Sequence, residues 1–324
     1  MRTPYRILAA LAALAVAGAC LGQGAAGFPS RPLRLVVPFA PGGTNDTVGR
    51  IVAEKLSARL GQPIVVDNRA GANSIIGSEI VAQASPDGHT MVIVAAGFAV
   101  NPSLRMKLPY DSLRDFAPVG LVGSGPYLLA VHPSVPAKSV SEFVAWVKAR
   151  PGQVNYASTG IGSPPHLAAE LLRNTAGLDI VHVPYKGGGA VLPDLLAGRI
   201  PMFFGSVSTL APHIRGGKLR GIAVTTPKRS PAMPELPTFM ESGLKDYDVT
   251  GWYGILAPGK TPRAIVDRIN TELRRVLGDP ETRSRLAQRG IEPTPGSAAD
   301  FTALIRREIP KWAKVMKAAG IKPQ

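Results

Sequence analysis

The chain has 324 residues, 45% hydrophobic and 18% charged, enough for a sizeable core and long enough for two domains rather than one. Frequent Gly (35) and Pro (31) with only 6% aromatics suit short elements joined by tight loops, and apolar residues recurring along the whole length exclude a disordered chain. The net charge of +15 is spread over residues such as Arg59, Lys107, Lys148, Lys218, Arg229, Arg268 and Arg285. With no basic block and no aromatic-rich basic stripe, this points away from nucleic acid and toward long-range attraction of anions, a merely solvated basic surface being the alternative.

In chain order, the first element is a secretory signal over residues 1–27. Arg2 and Arg6 precede an uncharged apolar run from Ile7 to Ala19, and small residues follow through Gly27. The run is too short for a comfortable membrane span. Cleavage after Ala25-Ala26-Gly27 leaves a soluble exported chain beginning at Phe28. Ala17-Gly18-Ala19-Cys20 is a loose lipoprotein box, so a lipid anchor at Cys20 is the alternative. Cys20 is the only cysteine, which leaves the mature part without a disulfide, a Cys-based metal site or a thiol nucleophile.

From Leu33 short β-rich runs alternate with amphipathic helical patterns. Leu33–Phe39 reads as a buried strand; a helix then carries Val48, Ile51, Val52, Leu56 and Leu60 on one face and stops at Gly61. Ile64–Val66 is a strand, Ile75–Ala84 a helix and Met91–Ala95 a strand, which predicts parallel βαβ units with helices on both faces of the sheet. A second alternating region starts near Tyr127–Val131. Ser139-Val-Ser-Glu142 is a capping box opening a helix through Lys148. Val154–Ala157 is a strand, Ser163-Pro164 opens a helix to Ala176, and Ile180–Pro184, Pro201–Phe204 and Leu219–Thr225 are further strands. Pro193 confines the helix between them to a start near Ala190, and Thr238-Phe-Met-Glu241 is another capping box. Val249–Leu256 is a strand, followed by helices from Thr261-Pro262, around Pro280–Arg289 and over Ser297–Ala319. One strand and several helices cannot bury themselves alone, so this tail completes the first domain. The chain then crosses between domains near Gly123–Tyr127 and Thr250–Tyr253, giving domain 1 as residues 28–124 plus 252–324 and domain 2 as residues 125–251.

Ligands of open α/β sheets bind beyond the carboxyl ends of strands, where backbone N–H groups and helix N-termini converge. Three stretches fit: Pro38-Phe-Ala-Pro-Gly-Gly-Thr-Asn-Asp46, Ser158-Thr-Gly-Ile-Gly-Ser-Pro-Pro-His166 and Pro184-Tyr-Lys-Gly-Gly-Gly-Ala190. Their glycines let amides face inward, and the helix starts add positive potential for an anion. Asp46 is an odd partner for an anion and reads better as a cap or loop brace. His166 could touch a carboxylate or brace its loop, and Lys186 is either a mobile cation for the ligand or a solvated lysine. Enzyme signatures are missing: Gly160-x-Gly162 has Pro165 where a dinucleotide fingerprint needs its third glycine, and Lys186-Gly-Gly-Gly reverses a Walker loop. No Gly-x-Ser-x-Gly elbow occurs, and His89, His132, His166, His182 and His213 show no metal-ligand spacing. The reading is of a binding protein with no cofactor and no metal.

The same loops carry a family resemblance. Pro32–Asp46, Val66-Asp-Asn-Arg-Ala-Gly71, Pro86-Asp-Gly-His-Thr90, Ser158–Leu167, Val183-Pro-Tyr-Lys-Gly187, Gly217-Lys-Leu-Arg220 and Lys228–Thr238 resemble, in order, the substrate-binding receptors of tripartite tricarboxylate transporters, the TctC or Bug family. The resemblance implies a periplasmic binding protein of the type II, Venus-flytrap class: α/β, with two domains each built on a mostly parallel sheet flanked by helices. It implies an extracytoplasmic solute-binding protein, not an enzyme, that is a monomer and hands a small carboxylate to a membrane permease of two subunits. An exported enzyme on the same fold, with Ser163 and His166 as its only nearby candidates, and a ligand receptor for a sensor protein are the rivals. Residue by residue, the candidate ligand contacts are Phe39, Ala40, Gly43, Thr44, Asp46, Phe98, Ser158, Thr159, Gly160, Ser163, His166, Tyr185, Lys186, Gly187, Gly205 and Ser206. Three features depart from the family pattern. Gly205 stands where many relatives carry Asp. Gly97-Phe98-Ala99 puts an aromatic in the loop after the third strand, for a less polar ligand or for packing alone. Pro310 interrupts a helix that it should only kink.

Overall fold

The computed structural model describes residues 27–185 and 188–323, so the signal with Cys20, and also Lys186 and Gly187, lie outside the described residues. Strands β1 (Leu33–Val37), β2 (Ile64–Asn68) and β3 (Thr90–Ala95) run parallel, with β1 in the middle. Both faces of β1 are covered, which is why Leu33, Leu35, Val36 and Val37 form a near-continuous buried apolar run rather than an alternating one. Helix α1 (Thr44–Leu60) buries the stripe Val48, Ile51, Val52, Leu56 and Leu60 and ends at Gly61, whose φ of 75° lets its N–H reach Ser57 O. Helix α2 (Ile75–Ala82) leads to β3.

Strand β4 (Phe116–Val131) carries the chain from one half of the molecule to the other. From Phe116 to Pro126 it pairs antiparallel with β9 (Thr250–Pro258), which lies beside β3. From Tyr127 to Val131 it pairs with β7 (Met202–Ser206), and over Leu128–Val131 also with β8 (Arg220–Val224). Strands β5 (Val154–Ser158) and β6 (Ile180–Pro184) extend β7 in parallel, so each half contains a parallel three-strand group and the antiparallel pairs gather at β4 and β9. The second half carries helices α4 (Val140–Lys148), α5 (Pro164–Ala176), α6 (Gly188–Leu196) and α7 (Val207–Arg215). After β9 the chain returns to the first half through α8 (Arg263–Gly278), α9 (Pro280–Ala287), the short strand β10 (Glu292–Pro293) on β4, and α10 (Ala298–Ala318). Gly125 permits that return, because a Cβ there would lie 2.2 Å from Gly290 O. One apolar core is continuous across both halves, joining Val92, Phe116, Trp252, Trp312 and Met316 to Phe143, Tyr156 and Leu172.

Four expectations need correction. Gly97-Phe98-Ala99 is no loop: it begins helix α3 (Gly97–Leu104), whose pattern was invisible because every residue from Gly97 to Asn101 is buried. The capping box at Thr238 forms reciprocally, with Thr238 N donating to Glu241 Oε2 and Glu241 N to Thr238 Oγ1, but it closes a turn and opens no helix. Helix α6 begins at Gly188, two residues before Ala190, with Pro193 inside it and the Gly189 carbonyl left to solvent on an exposed residue. Helix α7 has no counterpart among the predicted elements; Val207 follows β7 without a loop. Pro310 leaves α10 a single helix from Ala298 to Ala318.

Candidate functional site

The loop from Phe39 to Gly43 is built around Asp46, a first-turn residue of α1 only 4% exposed. Its Oδ2 accepts from Gly42 N at 2.9 Å and Arg50 Nε at 3.0 Å, and its Oδ1 accepts from Asn68 Nδ2 at 2.9 Å. Asn68 Nδ2 also donates to Phe39 O at 3.0 Å, so β2 holds both ends of the loop. Burial pushes the Asp46 carboxyl up, but the bonds from Arg50, Gly42 and Asn68 outweigh it and hold the group below its ordinary value. Asp46 is thus a charged brace whose oxygens are occupied by the loop itself. Gly43, the N-cap of α1, offers no side-chain cap, which leaves the first amides of α1 for another acceptor.

The loop after β5 is braced from within. Ser158 Oγ accepts from Gly160 N and donates to Gly160 O, both at 3.1 Å, and lies 2.6 Å from His182 Nε2. Ser163 Oγ donates to Gly160 O at 2.6 Å rather than capping its own helix α5. Gly162 N donates to His166 Nδ1 at 3.0 Å. The φ angles of Gly160 (129°) and Gly162 (74°) are left-handed values that other residues adopt at a cost, so the glycines are structural requirements here. His166 stacks on His182 with ring centroids 4.0 Å apart, and His182 in turn on Tyr156 at 4.9 Å. Burial, with smaller effects from His182 and Arg173, pushes His166 down to about 3, and burial pushes His182 down to about 4, so both rings are neutral at pH 7.

The third wall comes from α7. Ser206, its N-cap, turns its hydroxyl to Ser208 Oγ at 3.0 Å and Thr209 Oγ1 at 2.8 Å, again leaving a helix start without a side-chain cap. Ser208 Oγ lies 3.2 Å from Thr44 Oγ1, so the starts of α1 and α7 meet across the two halves of the sheet. A Cβ on Gly188 would sit 3.8 Å from Thr209 and 4.0 Å from Thr159, which brings the start of α6 and the β5–α5 loop to the same place. Tyr185 N donates to Ser158 O at 3.0 Å, tying that loop to the end of β6, while the Tyr185 hydroxyl donates to Asp194. The structure therefore gathers Thr44, Ser158, Thr159, Gly160, Ser163, His166, Tyr185 and Ser206, with the Phe39–Gly43 loop at its edge. Elsewhere Ser139, Asp279 and Ser297 cap their own first turns, while α2, α3 and α8 also begin without a side-chain cap.

Three predicted contacts have no surface to offer: Ser158, which is 0% exposed and braces its loop, and Phe98 and Gly205. Phe98 is 0% exposed, stacked with Tyr110 at 5.9 Å and edge-on to Phe116 at 5.2 Å, so of its two readings the structure gives it packing. Gly205 is buried, and a Cβ on it would meet Leu210 Cδ1 and Phe203 Cε1 at 2.6 Å. Lys186 and Gly187 lie outside the described residues. Sequence reasoning missed Ser208 and Thr209, for which the Ser206-Val-Ser-Thr209 hydroxyl cluster after a strand was a usable signal. It also missed Asn45, whose buried Oδ1 has no partner, and His182, whose place depends on strand register. Among the described residues no cluster of His, Cys, Asp and Glu could hold a metal ion, and no helix is long and apolar enough to cross a membrane.

A profile described as tripartite tricarboxylate transporter family receptor matches residues 48–321. A protein from the tcbD–tcbE intergenic region of Pseudomonas sp. strain P51 is 38% identical over 312 residues, 96% of this chain and 93% of that protein. Among solved structures, Rpa4515 of R. palustris with adipate is similar at a TM-score of 0.85 and 37% identity, covering 92% of this chain and 100% of that one. MatC of Rhodopseudomonas palustris with bound malate is similar at a TM-score of 0.80 and 33% identity, covering 89% of this chain and 99% of that one.

Proposed function

The chain belongs to the tripartite tricarboxylate transporter receptor family, and from that premise we propose that it captures a small dicarboxylate reversibly in the cleft where α1, α5 and α7 begin. The convergence of these helix starts, each without a side-chain cap, carries the reading. Free N-terminal amides of α1 and α7 present donors, and α5 adds only the His166 N–H because Pro164 and Pro165 have none. All three starts add positive potential, the chemistry that holds a carboxylate without a fixed cation. The adipate and malate bound by the two similar proteins suit the same class. The Thr44–Ser208 approach is the closed state of two lobes, residues 28–124 with 252–324 and residues 125–251, which move about β4 and β9. Closure excludes water and strengthens each bond to the anion. The lobes then form a ligand-reporting surface for a membrane permease of two subunits, with the receptor a monomer exported by residues 1–27 into the periplasm, free of Cys20 once cleaved.

The site reads as a receptor rather than an enzyme because its hydroxyls and imidazoles are spent on the loop. Ser163 Oγ faces Gly160 O and His166 Nδ1 faces Gly162 N, so the two do not form a nucleophile–base pair. The hydroxyl of Ser158, though near His182, is 0% exposed and bonded to Gly160. The test is a thermal-shift panel on refolded residues 28–324 against mono-, di- and tricarboxylates, aromatic acids, a sugar and a divalent cation. Dicarboxylates should shift the transition most, a hundredfold excess over Kd contributing about 2.7 kcal/mol, and should be recovered chemically unchanged after long incubation. A shift with the sugar or cation alone, or turnover of the acid, overturns the reading.

A further inference from the structure

We propose that His182, a residue of β6 outside the three ligand loops, is the positioning residue that sets the two glycine amide bonds bracing the β5–α5 loop. Its ring acts in two directions. Through Nε2, 2.6 Å from Ser158 Oγ, it fixes the hydroxyl that takes the Gly160 N–H at 3.1 Å. Through its face, at 4.0 Å and 12° from His166, it supports the ring whose Nδ1 takes the Gly162 N–H at 3.0 Å. Tyr156 backs the stack at 4.9 Å and is its register partner on β5, so the position of His182 is inherited from the sheet rather than from the loop. The Tyr156 hydroxyl in turn donates to Glu170 Oε1 at 2.6 Å, and Glu170 pairs with Arg173, which anchors the column in α5.

The arrangement requires a neutral pair. A proton on His166 Nδ1 would replace the acceptor of Gly162 N–H with a donor. A proton on each ring would place two cations in stacked contact beside Arg173. Imidazole supplies a flat stacking face and a polar edge atom together in one small ring. A phenyl ring keeps only the first, and a glutamine keeps only the second.

That separation gives the test, read first by hydrogen exchange of assigned backbone amides in the ligand-free full chain. His182→Phe should lower protection of the Gly160 amide at least tenfold. His182→Gln, which can still reach Ser158, should keep Gly160 protected but speed Gly162, which the stacking phenyl of His182→Phe leaves protected, and His166→Phe should speed Gly162 alone. Amides of Val92 and Ile255 in the first half serve as the control and should be unchanged, which separates a local effect from loss of the fold. If Gly160 and Gly162 exchange in His182→Phe and His182→Gln as in the unaltered protein, the proposal is wrong.

The consequence for binding rests on the receptor reading above and is measured separately with adipate and malate. If the unaltered protein binds either, His182→Phe should weaken it about tenfold and His182→Gln by less. Equal affinity in both variants contradicts a positioning role. If the unaltered protein binds neither acid, the receptor reading fails in that respect while the exchange data still decide the role of His182.

Discussion

Asp46→Asn separates the bracing role of this carboxylate from any merely local one, because the change keeps shape and removes charge. Asp46 accepts from Gly42 N and Arg50 Nε at one oxygen and from Asn68 Nδ2 at the other. An amide can satisfy only one of these sides and places its NH₂ against donors on the other. Rotation of Asn68 offers no relief, since its Oδ1 already takes Arg50 Nη2 at 3.1 Å and its Nδ2 holds Phe39 O at 3.0 Å. Losing at least one charge-assisted bond in a buried setting costs about 2–3 kcal/mol, equivalent to a fall in Tm of roughly 4–12 °C in a unit of this size. The Phe39–Gly43 loop would also lose its fixed shape, so dicarboxylate affinity should fall about tenfold, near 1.4 kcal/mol. The assays are differential scanning calorimetry and titration calorimetry at pH 7. A Tm within 1 °C of the unaltered protein together with an unchanged Kd would refute the bracing argument.

Three further outcomes rest on particular contacts. Gly205→Ala puts a Cβ 2.6 Å from both Leu210 and Phe203, side chains with 0% and 1% exposure. Overpacking of this kind costs about 1–3 kcal/mol, so chemical denaturation should show a lower midpoint, partly recovered by Leu210→Val, and an unchanged midpoint would mean that the pocket has slack. Pro310→Ala in the exposed face of α10 restores the bond to the Arg306 carbonyl and should stabilise the protein by as much as about 3 kcal/mol; a lower Tm would show that Pro310 serves the packing of Trp312 or Met316. Stability should decline as pH falls from 6.5 toward 4, because the unfolded chain protonates His166 and His182 near 6.5 while the folded one resists until about 3 and 4. The slope is up to about 1.4 kcal/mol per pH unit for each histidine, and it should flatten in His166→Phe. A flat profile over that window in the unaltered protein would contradict neutral, buried rings.

The legible parts of the fold are those written in contiguous residues. The run Leu33–Val37 announces a strand buried on both faces, and the stripe from Val48 to Leu60 with Gly61 behind it announces a helix and its end. Ser139 caps the helix its box predicts, whereas the same box at Thr238 closes a turn, because reciprocal bonds fix one turn of chain and leave the conformation beyond it open. Helix α3 was illegible since Gly97–Asn101 is buried on all sides and shows no helical period. Helix α7 was hidden by Pro212 and by the lack of a loop after β7.

At the site, glycine and hydroxyl density marked the loops after β1 and β5, but the group that holds each loop is distant in sequence. Asn68 reaches Asp46 from 22 residues away, and His182 reaches Ser158 from 24. The first depends on how α1 packs against β2 and the second on the register of β5 with β6, neither of which one sequence displays. Phe98 shows the converse problem: an aromatic after a strand reads the same whether it lines a cleft or, as with Tyr110 and Phe116, fills a core.

Titration calorimetry of refolded residues 28–324 with adipate and with malate addresses the central claim most directly. The account predicts saturable binding of one molecule per chain for at least one of these acids, abolished or weakened when both carboxylates are replaced by amides. No heat with either acid, or equal binding of the diamides, would contradict it.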